Sequence, residues 1–329
     1  GQAVAIAAPD ARAMIVGDRE GDVHIIPATP GAGLQAVADA DVSYFGHSSA
    51  VRLLGISSDG ALAASVADDN SIRIWNAATG VPRPFFANVP GNAVDRIAFS
   101  ADGSRLAILS SNRLQILDSE SGQFVARFEL GERHRAMTFA DNEQLYIGSD
   151  AGVLRVIGLD DAGGWSIREL WQGDASIRWL EASPRSTYLV LVDQNDVARQ
   201  FSLAEGRLGN ASLQLPSAVQ DVRFAPGGSR VLFRTSRWLH LANSAPSGLI
   251  WTDALPAPKA LASARMIFGE PGTNGTATGD RVYVPVAGDG FVRLAELNFA
   301  TLKGPGLFGN KDELLEEWRR KLGLSSTYE

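Results

Sequence analysis

Short runs of alternating apolar and polar residues, cut every few positions by Gly, Asp, Asn, Ser or Pro, fill the chain from its start to about residue 300. Alternation with period two turns one side of each run toward a core and the other toward water, which predicts antiparallel β-strands. The runs recur. A strand–turn–strand unit reads AVAIAAPDAR at 3–12, LLGISSDGAL at 53–62, RIAFSADGSRL at 96–106 and AMTFADNEQL at 136–145. It returns as WLEASPRSTYL at 179–189, DVRFAPGGSRV at 221–231 and ARMIFGEPG at 264–272. Anchored on Pro9, Ser58, Ala101, Asp141, Pro184, Pro226 and Pro271, the copies are spaced by 49, 43, 40, 43, 42 and 45 residues. A further strand with a polar residue near its middle follows every copy, at His24, Arg73, Gln115, Arg155, Arg199, His240 and Arg293. Those landmarks are spaced by 49, 42, 40, 44, 41 and 53 residues. Two registers agreeing over seven copies establish an internal repeat of about 43 residues. The stretched last interval coincides with an apparent insertion, GEPGTNGTATGD at 269–280.

Segments 34–42, 83–89, 124–130, 165–171 and 211–216 supply a fourth strand between copies. Four short strands per repeat, seven times over, predict an all-β fold, a seven-bladed β-propeller of four-stranded antiparallel blades. One such sheet cannot bury both faces alone, whereas radial stacking buries each face against a neighbour. Blades are expected to begin near residues 3, 49, 93, 134, 176, 218 and 262, with the propeller occupying 1–303. Turns such as SDG (58–60), ADG (101–103) and GDG (288–290) tolerate the positive φ of tight hairpins. The last outer strand is expected from 299–306, or from an N-terminal strand upstream of Gly1.

The pattern then changes. After a linker at 304–310, residues 311–323 place Leu314, Leu315, Trp318 and Leu322 on one stripe of a short C-terminal amphipathic α-helix, followed by a tail at 324–329. Acidic residues open that helix and Arg319, Arg320 and Lys321 close it, the order its dipole favours. It is expected to pack on the propeller's rim or to dock onto a partner or a second copy.

Composition narrows the chemistry. With no Cys there is no thiol catalysis, thiolate metal site or disulfide framework. A formal net charge of −7 argues against a nucleic-acid partner. No apolar run reaches the roughly 18–20 residues of a membrane span. The N-terminal GQAVAIAAPD has no signal-peptide character, which points to the cytoplasm. The missing initiator Met points to a longer parent, with this chain as its C-terminal propeller in contact with other domains, and Ala/Gly/Arg-rich usage suggests a bacterial-type source.

The stretch GHSSAVRLLGISSDGALAASVADDNSIRIWN at 46–76 resembles a WD-repeat, with Gly46-His47 at its head and Trp75-Asn76 where Trp-Asp would stand. The resemblance implies a relay of buried hydrogen bonds through His47, Ser65, Asp69 and Trp75, structural rather than chemical. Other copies keep the period but not the motif. The resemblance also implies that residues where the innermost strands begin open onto one face around the channel and meet a protein partner. Arg52, Asp95, Arg135, Arg178 and Gln220 occupy those places.

Catalytic motifs are lacking. GPGLFG at 304–309 fits G-x-G-x-x-G but leaves no room for the strand that a dinucleotide site needs after it. The four His residues have no zinc spacing, although His24 and His240 share one strand position and could face the channel from two blades. The Trp residues at 165, 171, 179, 238 and 251 are expected to fill gaps between blades. The leading expectation is a non-enzymatic protein-binding scaffold or sensor without a cofactor. The alternatives are a ligand-binding or hydrolase-type propeller with its site at the channel, and a self-assembly platform built on the 311–323 helix.

Overall fold

A computed structural model describes residues 4–7, 13–27, 43–44, 46–88, 94–160, 162–225, 227–256, 266–268, 281–287 and 292–298. The first group of strands is β1 (Val4–Ala7), β2 (Ala13–Gly17), β3 (Val23–Pro27) and β4 (Ser43–Tyr44). The second is β5 (Val51–Ile56), β6 (Leu62–Ala67), β7 (Ser71–Asn76) and β8 (Pro82–Asn88). Next come β9 (Arg96–Phe99), β10 (Arg105–Ser110), β11 (Arg113–Asp118) and β12 (Phe124–Glu129), then β13 (His134–Phe139), β14 (Leu145–Ser149), β15 (Val153–Leu159) and β16 (Trp165–Gln172). The fifth group is β17 (Ile177–Ala182), β18 (Tyr188–Asp193), β19 (Val197–Ser202) and β20 (Arg207–Gln214). The sixth is β21 (Asp221–Phe224), β22 (Arg230–Arg234), β23 (Trp238–Ala245) and β24 (Gly248–Pro256). A last group of three holds β25 (Ile267–Phe268), β26 (Arg281–Ala287) and β27 (Val292–Asn298). Within every group consecutive strands pair antiparallel. The linker expected at 304–310, the helix expected at 311–323 with Leu314, Leu315, Trp318 and Leu322, and the segment 299–306 lie outside the described residues.

The groups stand side by side as blades. β1, β5, β9, β13, β17 and β21 neighbour one another in turn, and β1 also lies beside β26. Apolar clusters fill the spaces between successive blades. Val66, Ile72 and Ile74 of the second blade meet Ile97, Leu106 and Ile108 of the third. Leu109 and Ile116 of the third meet Leu145 and Ile147 of the fourth. Val190 and Val192 of the fifth meet Val231 and Phe233 of the sixth.

Burial corrects the simple alternation read from the sequence. Second strands such as β6, β10 and β18 are buried on both faces after their first residue, because a blade lies on either side. Alternation survives in the outer strands β12 and β20, whose exposed residues face the rim. The turns follow expectation at Gly60 and Gly103, where φ of +71° lets each hairpin close.

The fifth and sixth blades are also joined at their outer edges, where Ala211 of β20 pairs in parallel with Gly248 of β24. Behind that contact, Gln200 Nε2 donates to the Ala245 carbonyl at 2.6 Å and accepts the Ser244 hydroxyl on Oε1 at 2.7 Å. No pattern in the sequence marks β24, whose GLIWTDALP carries neither a clean alternation nor a turn at the spacing of the other blades.

Candidate functional site

A cavity of about 420 Å³ runs along the innermost strands. Ile6, Gly55, Ala98, Thr138, Glu181, Arg223 and Met266 line it, one from each blade. Arg223 Nη1 lies 3.2 Å from Glu181 Oε1 and its Nε lies 3.8 Å from Asp221 Oδ1, an ion-pair network inside this channel. Although burial opposes it, the two carboxylates raise the Arg223 pKa above its ordinary value. Neither His24 nor His240 lines the channel. His24 Nε2 binds Asp18 at 2.8 Å. His240 is 3 % exposed, its ring nitrogens form no hydrogen bond among the described residues, and its ring lies 4.8 Å from the Trp251 ring between centroids. The possibility of imidazoles converging on the channel is therefore corrected: both residues stand on third strands, two strands out from the innermost ones that line it.

At the end where the innermost strands begin, a second cavity of about 550 Å³ opens. Arg96, Arg135, Arg178, Asp150, Ser176, Trp179, Gln194 and Val219 line it. Arg96, Arg178 and Trp179 also line the channel, so the two spaces meet there. Local backbone geometry explains the arginines. The ladders of β5, β13 and β17 shift register between Val51 and Leu53, between His134 and Ala136, and between Ile177 and Trp179. Arg52, Arg135 and Arg178 are the extra residues at those bulges, and a bulge re-aims the side chain it carries. β9 has no such shift, and its first residue, Arg96, reaches the mouth instead of Asp95.

The predicted face residues divide accordingly. Arg135 and Arg178 line the mouth cavity, whereas Arg52, Asp95 and Gln220 do not. Arg52 spends its guanidinium on the carbonyls of Ala67 and Val94 and on Asn70. Asp95 accepts the Ser111 amide at 2.7 Å and pairs with Arg133 at 3.1 Å. Gln220 Oε1 accepts from Arg234 at 2.7 Å. Within the cavity, Arg135 Nε donates to Asp150 at 2.6 Å, which raises its pKa. Burial lowers the Arg96 pKa, partly offset by Asp95 and Asp221, and its guanidinium lies 5.3 Å from the Trp179 ring centroid. The sequence singled out neither Arg96, brought in by the absence of a bulge in β9, nor Gln194, which reaches the cavity from the β18–β19 turn.

His47, Ser65 and Trp75 form one chain of hydrogen bonds, with Asp69 reached through a fifth residue. Trp75 Nε1 donates to Ser65 Oγ at 2.8 Å, and Ser65 Oγ lies 2.7 Å from His47 Nε2. His47 Nδ1 lies 2.6 Å from Ser71 Oγ, whose hydroxyl donates to Asp69 at 2.6 Å. Because the Ser71 hydroxyl donates to Asp69, Nδ1–H donates to Ser71, and at the lowered pKa of this imidazole Nε2 is bare and accepts from Ser65. The imidazole is then neutral, and burial, followed by the nearby Arg73, lowers its pKa to about 4. Two features differ from the expected relay. Asp69 meets the imidazole only through Ser71, and it is exposed rather than buried, because it sits in the turn before β7. Burial works against ionisation there, but bonds from the Ser71 hydroxyl and amide and the Ser48 hydroxyl outweigh it and hold Asp69 near about 2.

The same stretch, residues 41–76, matches the family model described as WD domain, G-beta repeat. Over nearly the whole chain the fold superposes on solved structures of that kind. The chain folds as a β-propeller like them, and one of its repeats carries the WD pattern. The structural likeness to the RRP9 WD40 repeats has a TM-score of 0.67 at 16% identity, covering 90% of this chain and 93% of that one. That to the Myceliophteria thermophila Cps50 (Swd1) β-propeller domain has a TM-score of 0.65 at 14% identity, covering 89% and 96%. Curated relatives match shorter stretches of the chain. A p21-activated protein kinase-interacting protein 1-like from Danio rerio is 25% identical over 146 residues, 44% of this chain and 39% of that protein. Eukaryotic translation initiation factor 3 subunit I from Coccidioides immitis is 31% identical over 134 residues, 41% and 38%. The Aspergillus fumigatus counterpart is 36% identical over 75 residues, 23% and 22%. The chain thus spans about two-fifths or less of these curated relatives. Their sources are a fish and fungi, so the bacterial-type source suggested by composition finds no support among them.

Proposed function

We propose that this propeller is a non-catalytic protein-interaction module that engages its partner at the mouth where the innermost strands begin. The observation that carries this reading is the set of bulges that turns Arg135 and Arg178 toward one cavity beside Arg96 and Trp179. Arg and Trp are the residue types that most often dominate binding energy at interfaces. A rigid ring of sheets also presents such a surface with little ordering cost. The names of the relatives, an interacting protein and a subunit of a translation factor, agree with a role in assemblies.

The test is affinity capture with the full chain as bait, beside an Arg135→Ala/Arg178→Ala variant and an Arg185→Ala variant. Arg185 is exposed in the β17–β18 turn at the opposite end. A protein captured by the wild type and by Arg185→Ala, but lost with the double variant, supports the mouth as the interface. Equal recovery by all three would overturn it.

A further inference from the structure

The mouth cavity carries more positive than negative charge in a chain whose formal net charge is −7. Three guanidinium groups line it against one carboxylate, Asp150. That carboxylate is already occupied, accepting Arg135 Nε at 2.6 Å and the Ser176 hydroxyl at 3.1 Å. Arg96 lies over the Trp179 ring and gives one long bond, 3.4 Å, to the Asp95 carbonyl. Arg178 is exposed and has no hydrogen bond or ion pair among the described residues, and neither does the Gln194 side chain. Unspent donors therefore outnumber unspent acceptors on this wall. Trp179 is fixed from behind, its Nε1 donating to the Val219 carbonyl at 3.1 Å, so the ring that steadies Arg96 is itself held in place.

We infer that this cavity takes a carboxylate from an acidic segment of a protein partner, received by Arg178 and Arg96 with the Gln194 amide as a further donor. The inference rests on the interaction reading above and names the chemistry of the segment that enters. Planar guanidinium groups suit a carboxylate, to which they can give two parallel bonds. The open, polar mouth suits a side chain arriving from a chain laid across the face better than an enclosed small molecule.

The experiment is fluorescence anisotropy with the full chain and a labelled Gly-Ser peptide carrying four consecutive Glu, beside the same peptide with Gln in their place. The Glu peptide should bind at least tenfold more tightly, and raising ionic strength from about 0.05 to about 0.5 M should weaken it, because exposed pairs are screened. Arg178→Ala should weaken it by about tenfold or more. Arg185→Ala should leave it unchanged. Equal binding of the Glu and Gln peptides would overturn the assignment. So would equal weakening by Arg185→Ala, or tight binding by a phosphoserine peptide where the Glu peptide fails. The two proposals fail separately. A captured partner lost with Arg135→Ala/Arg178→Ala, while the Glu peptide does not bind, leaves the interface standing and removes only its acidic occupant.

Discussion

Replacing Ser65 by Ala removes one oxygen from a fully buried position and leaves two groups without partners. The Trp75 Nε1–H, on a ring that is 1 % exposed, loses its acceptor at 2.8 Å, and His47 Nε2 loses its donor at 2.7 Å. An orphaned buried polar group costs about 1–3 kcal/mol. The Trp75 side meets that range in full, while the half-buried imidazole can recruit water and falls at its lower end. The sum is about 2–4 kcal/mol. With an unfolding entropy of about 2.1 cal/mol/K per residue, that corresponds to a fall in Tm of about 3–6 °C for a chain of this size unfolding as one unit. Thermal melts of Ser65→Ala beside Ser58→Ala, an exposed hydroxyl in the β5–β6 turn, make the comparison. Trp75→Phe removes the same donor, so the double variant Ser65→Ala/Trp75→Phe should show a coupling of about 1–2 kcal/mol. A Ser65→Ala melt within 1–2 °C of wild type (about 1 kcal/mol on this scale), or strict additivity with Trp75→Phe, would refute the reasoning.

Three other outcomes follow from the same structure. His47 and His240 are both held near about 4 by burial, and His134 is lowered too. The unfolded chain, with His near 6.5, therefore binds more protons, so urea midpoints should be constant above about pH 6.5 and fall as pH drops from there toward 4. His240→Leu should flatten part of that slope, and a flat wild-type profile would contradict it. Gly148→Ala should destabilise by about 1–3 kcal/mol, since a Cβ there would stand 2.5 Å from Ile177 Cγ2. Denaturant titration of the double variant Gly148→Ala/Ile177→Ala should show part of that loss returned, and no return would rule out the clash. Gln200→Leu leaves the Ala245 carbonyl and the Ser244 hydroxyl without this partner, so hydrogen exchange at 244–248 should rise relative to β18, where an unchanged ratio would deny the clamp a role.

The propeller was legible because its signal is repeated. One strand–turn–strand unit proves little, but seven at a near-constant period exclude most other folds, and the WD-like stretch supplied His47, Ser65 and Trp75 by type and spacing. Ser71 was not legible as the link to Asp69. A serine two residues after an aspartate reads as an ordinary turn, and only the orientation of the imidazole sends the chain of bonds through it. The face at the mouth was half legible. Arg52, Asp95, Arg135, Arg178 and Gln220 each lie within one residue of the start of an innermost strand, but a register shift of one residue decides which side chain reaches the cavity. That shift brought Arg135 and Arg178 into the cavity. Its absence in β9 exchanged Asp95 for Arg96. Arg52 lies at a bulge as well, yet the nearby carbonyls of Ala67 and Val94 capture it.

The central claim, that partners meet this propeller at the mouth of its channel, is tested most directly by hydrogen–deuterium exchange on the full chain with and without the captured protein. The account predicts slowed exchange at residues 94–96, 133–136, 176–179 and 194–196, with little change in the turns at 58–60, 101–103 and 184–186. Protection confined to those opposite turns or to the outer strands β12, β16 and β20 would contradict it.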